Sequence, residues 1–225
     1  MNKRSNNRLS QALGVLYALA VLACIGLSLG LFTPLLPTET VEGQADAAGS
    51  SFSGEYRPFD SEYLGVTEIV FASGSSYEGA FTDSRLNGPG RFMGAGGWTI
   101  EGTFVDGRLE GEGNYTSAAG TYVGNFKNSL PDGTGEFASV AGWSYRGSFA
   151  AGAISGQGIF TSAAGDIYMG ALLNGYANGR GEVTSLAWSY LGEFTAGYRN
   201  GEGCLTFEDG EKIEGLWTAG YPHIH

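Results

Sequence analysis

From residue 77 onward, apolar and polar positions alternate in short runs that restart at a near-constant interval. Each run opens with Tyr or Ile, any residue, then Gly: Tyr77-Glu-Gly79, Ile100-Glu-Gly102, Tyr122-Val-Gly124, Tyr145-Arg-Gly147, Tyr168-Met-Gly170, Tyr190-Leu-Gly192 and Ile213-Glu-Gly215. Successive starts lie 23, 22, 23, 23, 22 and 23 residues apart. A large apolar side chain follows four residues after each start, at Phe81, Phe104, Phe126, Phe149, Leu172, Phe194 and Trp217. Gly-x-Gly comes eleven residues after each start, from Gly88-Pro-Gly90 to Gly201-Glu-Gly203, and a second apolar residue follows at Phe92, Tyr115, Phe137, Phe160, Val183 and Leu205. Period two places the Tyr, Gly and Phe of each first segment on one face of a strand. No helical spacing fits, so each copy is predicted to be a β-hairpin, and a fixed period of this length predicts a stacked array.

The hairpin turns are expected at Asp106-Gly107, Ala151-Gly152, Asn174-Gly175 and Ala196-Gly197, where Gly suits positive φ. Asp83-Ser84 and Asn128-Ser129 lack the glycine, which predicts looser turns there. The two shorter copies lose a residue in Thr116–Gly120 and Thr184–Trp188; a deletion inside a strand would flip every later side chain, so these stretches are loops between hairpins. Trp98, Trp143 and Trp188 recur every 45 residues, a doubled unit overlying the single one. The predicted fold is all-β: an elongated antiparallel meander of stacked hairpins, about 13 strands and roughly 55–60 Å long at about 4.8 Å per strand.

Tyr-x-Gly-x-Phe followed by Gly-x-Gly at this spacing resembles the MORN repeat, a hairpin module, over residues 77 to 220 and about seven copies. The repeat-defining glycines are Gly79, Gly102, Gly124, Gly147, Gly170, Gly192 and Gly215. Departures are Ile100 and Ile213 for Tyr, Leu172 for Phe, and a last copy cut short after Gly220. The resemblance implies a scaffold for protein contacts, a dimerisation surface or a module working near membranes. In some relatives such arrays accompany lipid kinase or methyltransferase domains, for which this chain leaves no room.

Ahead of the array, Ala12 through Phe32 carries no charge, and its 21 residues at 1.5 Å each match a bilayer core. Lys3, Arg4 and Arg8 precede it and the next basic residue is Arg57, which orients the N-terminus to the cytoplasm and the repeats outside it, in the periplasm of a bacterium. A cleaved signal peptide is the rival reading, but its apolar region is too long and Ala45-Asp-Ala47 lies too far beyond it. The expected organisation is residues 1–10 cytoplasmic, 11–33 a transmembrane helix, 34–67 a flexible tether, 68–221 the array and 222–225 a tail. Within that tether's end, Glu68-Ile-Val-Phe71 resembles the second half of a repeat and is expected to cap the first hairpin. Beyond the helix the chain holds nine basic residues against 23 acidic ones, a net of −14. Such a surface repels nucleic acid and anionic headgroups. Cys24 and Cys204 form no disulfide framework.

No catalytic constellation or cofactor motif emerges. His223 and His225 form a His-x-His pair without a third ligand, so no metal site is expected. Gly-x-Gly recurs with no helix following, so it is architecture and not a phosphate cradle. Ser162 has no His partner, and Glu110, Glu112 and Glu202 fall on solvated strands. The more useful signal is on the face opposite the aromatic rows. If the second position of each copy pairs with the fifteenth, one outer row reads Arg146, Ile159, Met169, Glu182, Leu191, Cys204, against a more polar Glu78, Arg91, Glu101, Asn114 in earlier copies. Ile159, Met169, Leu191 and Cys204 are therefore the candidate interaction surface. Trp98, Trp143 and Trp188 are candidate stacking platforms for a glycan.

These features favour a membrane-anchored, non-catalytic scaffold that docks a protein partner outside the cytoplasm, as an accessory subunit of a larger membrane complex. An envelope or glycan-binding module and a homo-oligomerising structural protein are the alternatives. For the last, the unpaired strand edge from Ile213 to Trp217 offers backbone for β-augmentation.

Overall fold

The protein is seen in a computed structural model that describes residues 51–53, 67–71, 73–82 and 85–223. The expected cytoplasmic segment, the transmembrane helix at 11–33 and most of the tether lie outside those residues. Among the described residues no helix is long and apolar enough to cross a membrane.

The described residues are all β and fall into two compact units, one ending at Val140 and the other beginning at Ala141. The first holds β1 (Ser51–Ser53), β2 (Thr67–Val70), β3 (Ser76–Thr82), β4 (Arg85–Met93), β5 (Thr99–Val105), β6 (Arg108–Ser117), β7 (Gly120–Lys127) and β8 (Leu130–Ser139). The second holds β9 (Ser144–Ala150), β10 (Ala153–Thr161), β11 (Ile167–Leu173), β12 (Tyr176–Thr184), β13 (Trp188–Thr195), β14 (Tyr198–Phe207), β15 (Lys212–Thr218) and β16 (Tyr221–Pro222). Within each unit every strand pairs antiparallel with the next in chain order, an uninterrupted meander. The strands read from the repeat are β3 to β15. Glu68-Ile-Val-Phe71 does supply a strand against the first hairpin, with Ile69 opposite Tyr77. Ser51–Ser53 pairs with it in turn, a strand inside the stretch expected to be tether.

The turns follow local chemistry. At Ala151-Gly152 both central residues take positive φ, 47° and 84°, the arrangement whose twist matches the flanking strands. The loose turn expected at Asn128-Ser129 is instead equally tight, with φ of 51° and 63°. Side chains hold it without glycine. Ser129 Oγ accepts from Leu109 N at 3.0 Å, the Glu110 carboxylate accepts from Asn128 N at 2.8 Å, and Arg108 donates to Asn128 Oδ1 at 2.7 Å. Those bonds offset the roughly 1–2 kcal/mol that left-handed backbone costs a residue with a Cβ.

The two glycines of Gly-x-Gly have different jobs, which period-two reasoning merged into one. Gly156 sits at φ +99°, beside a register shift in the β9–β10 pairing, and its conformation is the reason for it. Gly158 is paired with Gly147, and there the reason is steric: a Cβ on either would run into the Tyr145 ring. The ring lies flat across bare backbone. The same seat recurs under Tyr77, Tyr122, Tyr168 and Tyr190. Where Ile100 replaces Tyr, the side chain of Leu109 fills the space over Gly102 and Gly113.

Laid down this way, the rings make a core on one face of the sheet within each unit. Tyr77, Tyr122, Tyr145 and Tyr190 are fully buried, as are Phe92, Phe104, Phe137 and Phe194. Edge-to-face contacts tie the rows together, with Tyr145–Phe149 at 5.3 Å, Tyr168–Phe194 at 5.4 Å and Tyr190–Trp217 at 5.2 Å between centroids. Each phenol is also satisfied. Its Oη donates to the carbonyl three residues on: Ala80 at 3.2 Å, Asn125 at 2.9 Å, Ser148 at 3.1 Å, Ala171 at 2.7 Å and Glu193 at 3.4 Å.

Candidate interaction surface

Opposite the rings, the strand registers assemble the outer row that the sequence pattern predicts. Arg146 faces Ile159, Ile159 faces Met169, Met169 faces Glu182, Glu182 faces Leu191, Leu191 faces Cys204, and Cys204 faces Glu214. Ile159, Met169 and Leu191 are 44%, 43% and 48% exposed, and Cys204 is half-buried with its Sγ 3.4 Å from Glu214 Oε1. In the first unit the corresponding row runs Glu68, Glu78, Arg91, Glu101, Asn114, Val123, Glu136. It is polar apart from Val123.

Alongside the row runs a ladder of glycines. Gly147, Gly158, Gly170, Gly181, Gly192, Gly203 and Gly215 are register partners in succession across β9 to β15. On the ring face they seat the tyrosines. Because these positions point to the ring face, the outer face shows a strip of backbone there between two rows of side chains. Near the C-terminal end this strip deepens into an open recess of about 330 Å³, walled by Leu191, Glu193, Glu202, Cys204, Glu214 and Arg180 and floored by Gly192, Gly203 and Gly215. Lys212 approaches Glu214 at 3.9 Å; Glu193 and Glu202 have no ion pair among the described residues.

Two of the three tryptophans expected to be stacking platforms are buried. Trp143 and Trp188 are each only 5% exposed, and Trp98 is half-buried. Trp98 stacks on Phe92 at 5.5 Å and Trp143 on Phe160 at 5.7 Å. At Trp143 and Trp188 no open indole face is left for a sugar.

Sequence reasoning missed Arg199. It is fully buried, and none of its three guanidinium nitrogens has a hydrogen-bond partner. Its guanidinium carbon lies 4.7 Å from the Trp217 ring centre, 5.1 Å from Tyr190 and 5.7 Å from Trp188. Burial lowers its pKa to about 10. The signal was in the repeat. Register places Arg199 opposite Phe194, where other copies set Leu86, Leu109, Ile154 and Ala177 opposite the matching residue. Burial likewise pushes the phenols of Tyr145 and Tyr190 up to about 12, and those of Tyr77, Tyr122 and Tyr168 higher still.

The C-terminal edge is less open than the unpaired Ile213–Trp217 strand that was expected. β16 pairs with Trp217 and Thr218, and His223 N donates to Leu216 O at 2.8 Å. Lys212 to Gly215 keeps an outer edge without a partner among the described residues. His223 Nε2 lies 2.8 Å from Thr218 Oγ1, and His225 is outside the described residues. Among the described residues no cluster of side chains is arranged to hold a metal ion.

The MORN repeat family matches residues 77–99, 101–121, 122–144, 145–167 and 190–212, half of the chain in five copies, and the chain belongs to that family. Such repeats are generally protein- or membrane-interaction modules. The copy beginning at Tyr168 falls outside the match, yet β11 and β12 repeat the same hairpin, with Gly170 opposite Gly181 beneath Tyr168. No curated protein matches. Among solved structures, the chain is similar to the TCP domain of SAS-4 from Drosophila melanogaster, solved in complex with a proline-rich motif of Ana2. Identity is 14%, the match covers 81% of this chain and 97% of that one, and the TM-score is 0.43.

Proposed function

We propose that this protein is a membrane-anchored, non-catalytic scaffold whose repeats dock a protein partner on the extracytoplasmic side, as an accessory subunit of a membrane complex. The carrying observation is the outer row of the second unit. Its three large apolar side chains, Ile159, Met169 and Leu191, stand exposed on strands whose opposite face already holds a complete core. They take no part in that core, and aligned exposed apolar residues mark a contact site. The uninterrupted apolar stretch from Ala12 to Phe32 supports the anchor, and its basic N-terminal flank supports the orientation.

Purification of the full chain from native membranes in mild detergent tests this. A stoichiometric protein partner is expected, and the Ile159→Ser/Met169→Ser/Leu191→Ser variant is expected to lose it without loss of β structure by circular dichroism. A lone monomer from wild-type membranes sinks the proposal. Protease added to intact cells or spheroplasts is expected to digest the repeats from outside; protection there contradicts the orientation.

Self-association is a second reading, favoured by the outer edge of Lys212–Gly215 that β16 leaves uncovered.

A further inference from the structure

The outer face of the second unit has a charge direction as well as an apolar centre. Arg146 closes the exposed row at β9, and Glu214 closes it at β15. Between them lie Ile159, Met169, Glu182, Leu191 and Cys204, and the glycine-floored recess opens at the acidic end. Six strand spacings of about 4.8 Å make the row roughly 29 Å long, the reach of about nine extended residues.

We infer that this recess takes a basic side chain from a partner protein, whose neighbouring aliphatic residues lie along Leu191, Met169 and Ile159 and whose acidic end approaches Arg146. The inference rests on the proposed docking role of this face and names the chemistry of what docks.

Three observations argue for this occupant. First, Glu193 and Glu202 wall the recess without an ion pair, and Glu214, which Lys212 approaches at 3.9 Å, adds a third carboxylate, against Arg180 and Lys212 as counter-charges. At Glu193 and Glu202 an incoming ammonium or guanidinium finds acceptors that no described side chain occupies, and long-range attraction steers it there. Second, the floor is the backbone of Gly192, Gly203 and Gly215, positions directed toward the ring face, so a long side chain lies along bare backbone between the outer rows. The methylene stem of Lys or Arg suits such a strip, with its head in the acidic ring and its body on Leu191. Third, the second unit carries eight acidic residues against four basic ones, of which Arg199 is buried. A second copy would bring like charge to the recess, and a nucleic acid would be repelled.

The test uses the full-length protein in mild detergent and two labelled peptides of about ten residues. One alternates aliphatic residues with two lysines at one end and two aspartates at the other. Its counterpart has every lysine replaced by glutamate. Fluorescence anisotropy is expected to show the lysine peptide binding at least about tenfold more tightly, with the difference shrinking as salt rises. The Glu193→Gln/Glu202→Gln variant is expected to weaken the lysine peptide about tenfold and leave the glutamate peptide unchanged. Equal binding of both peptides, or no effect of the double variant, overturns the inference. A dimer by sedimentation that the Ile159→Ser/Met169→Ser/Leu191→Ser variant abolishes also overturns it, by naming a second copy as the occupant. The membrane pull-down separates the two levels. A partner lost with the apolar variant but retained by the double glutamate variant keeps the docking face and rejects the basic segment. A partner retained by both rejects the docking face itself.

Discussion

Replacing Arg199 by leucine is expected to stabilise the protein, although it removes a side chain in contact with three aromatic rings. The guanidinium is fully buried and its three nitrogens have no hydrogen-bond partner, so its hydration is lost without replacement. Burial brings its pKa down from 12.5 to about 10, and at 1.36 kcal/mol per unit that is about 3 kcal/mol against holding the charge in the fold. That figure and the ring contacts to Trp217, Tyr190 and Trp188 compete, each ring returning roughly 0.5–2 kcal/mol. Leucine fills the same site at Leu109 and isoleucine at Ile154, so the repeat already shows that an aliphatic side chain fits opposite the aromatic. Swapping a buried charge for a well-packed aliphatic residue is worth about 1–3 kcal/mol in favour of the fold. Arg199→Ala, which also empties the space of the stem, is expected to cost about 2–4 kcal/mol. Urea unfolding of the full chain, followed by tryptophan fluorescence, measures both, since Trp188 and Trp217 flank the site. The pH dependence has a defined sign. The folded pKa lies below the unfolded one, so the penalty is fully present below pH 10 and is relieved as pH rises from about 10 towards 12.5. The advantage of Arg199→Leu over wild type must therefore shrink across that window. A leucine variant less stable than wild type by more than about 1 kcal/mol would show that the rings outweigh the lost hydration, and the reasoning would be wrong.

Gly158→Ala is expected to cost about 2–4 kcal/mol because its Cβ enters the Tyr145 ring, whereas Gly210→Ala, at φ +85° with open space around it, costs only about 1–2 kcal/mol; equal losses in a melting experiment would refute the steric account. Tyr145→Phe is expected to lose about 1 kcal/mol by leaving its hydrogen bond to the Ser148 carbonyl unmade, measurable by the same unfolding curve. The buried tyrosines set an alkaline limit: their folded pKa values are raised above 10.0, so the stability they contribute is complete below pH 10 and declines from pH 10 through about 12, where Tyr145 and Tyr190 ionise. A spectrophotometric phenol titration that shows all tyrosines ionising near pH 10 in the folded protein would contradict this. Truncation after Gly210 removes β15 and β16 and is expected to lower any self-association seen by sedimentation; an unchanged oligomer rejects edge pairing.

The hairpins and their outer row were legible because side-chain direction alternates strictly and the copies supply seven chances to read one register. The pairing of Ile159 with Met169 and of Leu191 with Cys204 follows from that alone. What sequence did not yield depends on backbone conformation and on contacts between chain-distant groups. Period two cannot tell Gly156, which is there for its φ, from Gly158, which is there for the Tyr145 ring. The tight turn at Asn128-Ser129 rests on Leu109, Glu110 and Arg108 from the preceding hairpin, so its own two residues give no hint of it. Trp143 and Trp188 lie in or beside loops between hairpins, where exposure is the default, but stacking over Phe160 covers Trp143 and the guanidinium of Arg199 approaches Trp188. Arg199 itself was visible in principle as a charge in an aliphatic column.

Each buried phenol is seated on two glycines of its own hairpin, as Tyr145 is on Gly147 and Gly158, while ring edges such as that of Tyr168 against Phe194 reach the next copy. The first contact joins residues close in the chain, and the second joins immediate neighbours. A chain organised this way has no distant segment to wait for. It is expected to fold quickly for an all-β protein, starting from any well-formed copy and growing outward, and to lose structure first at its last strand.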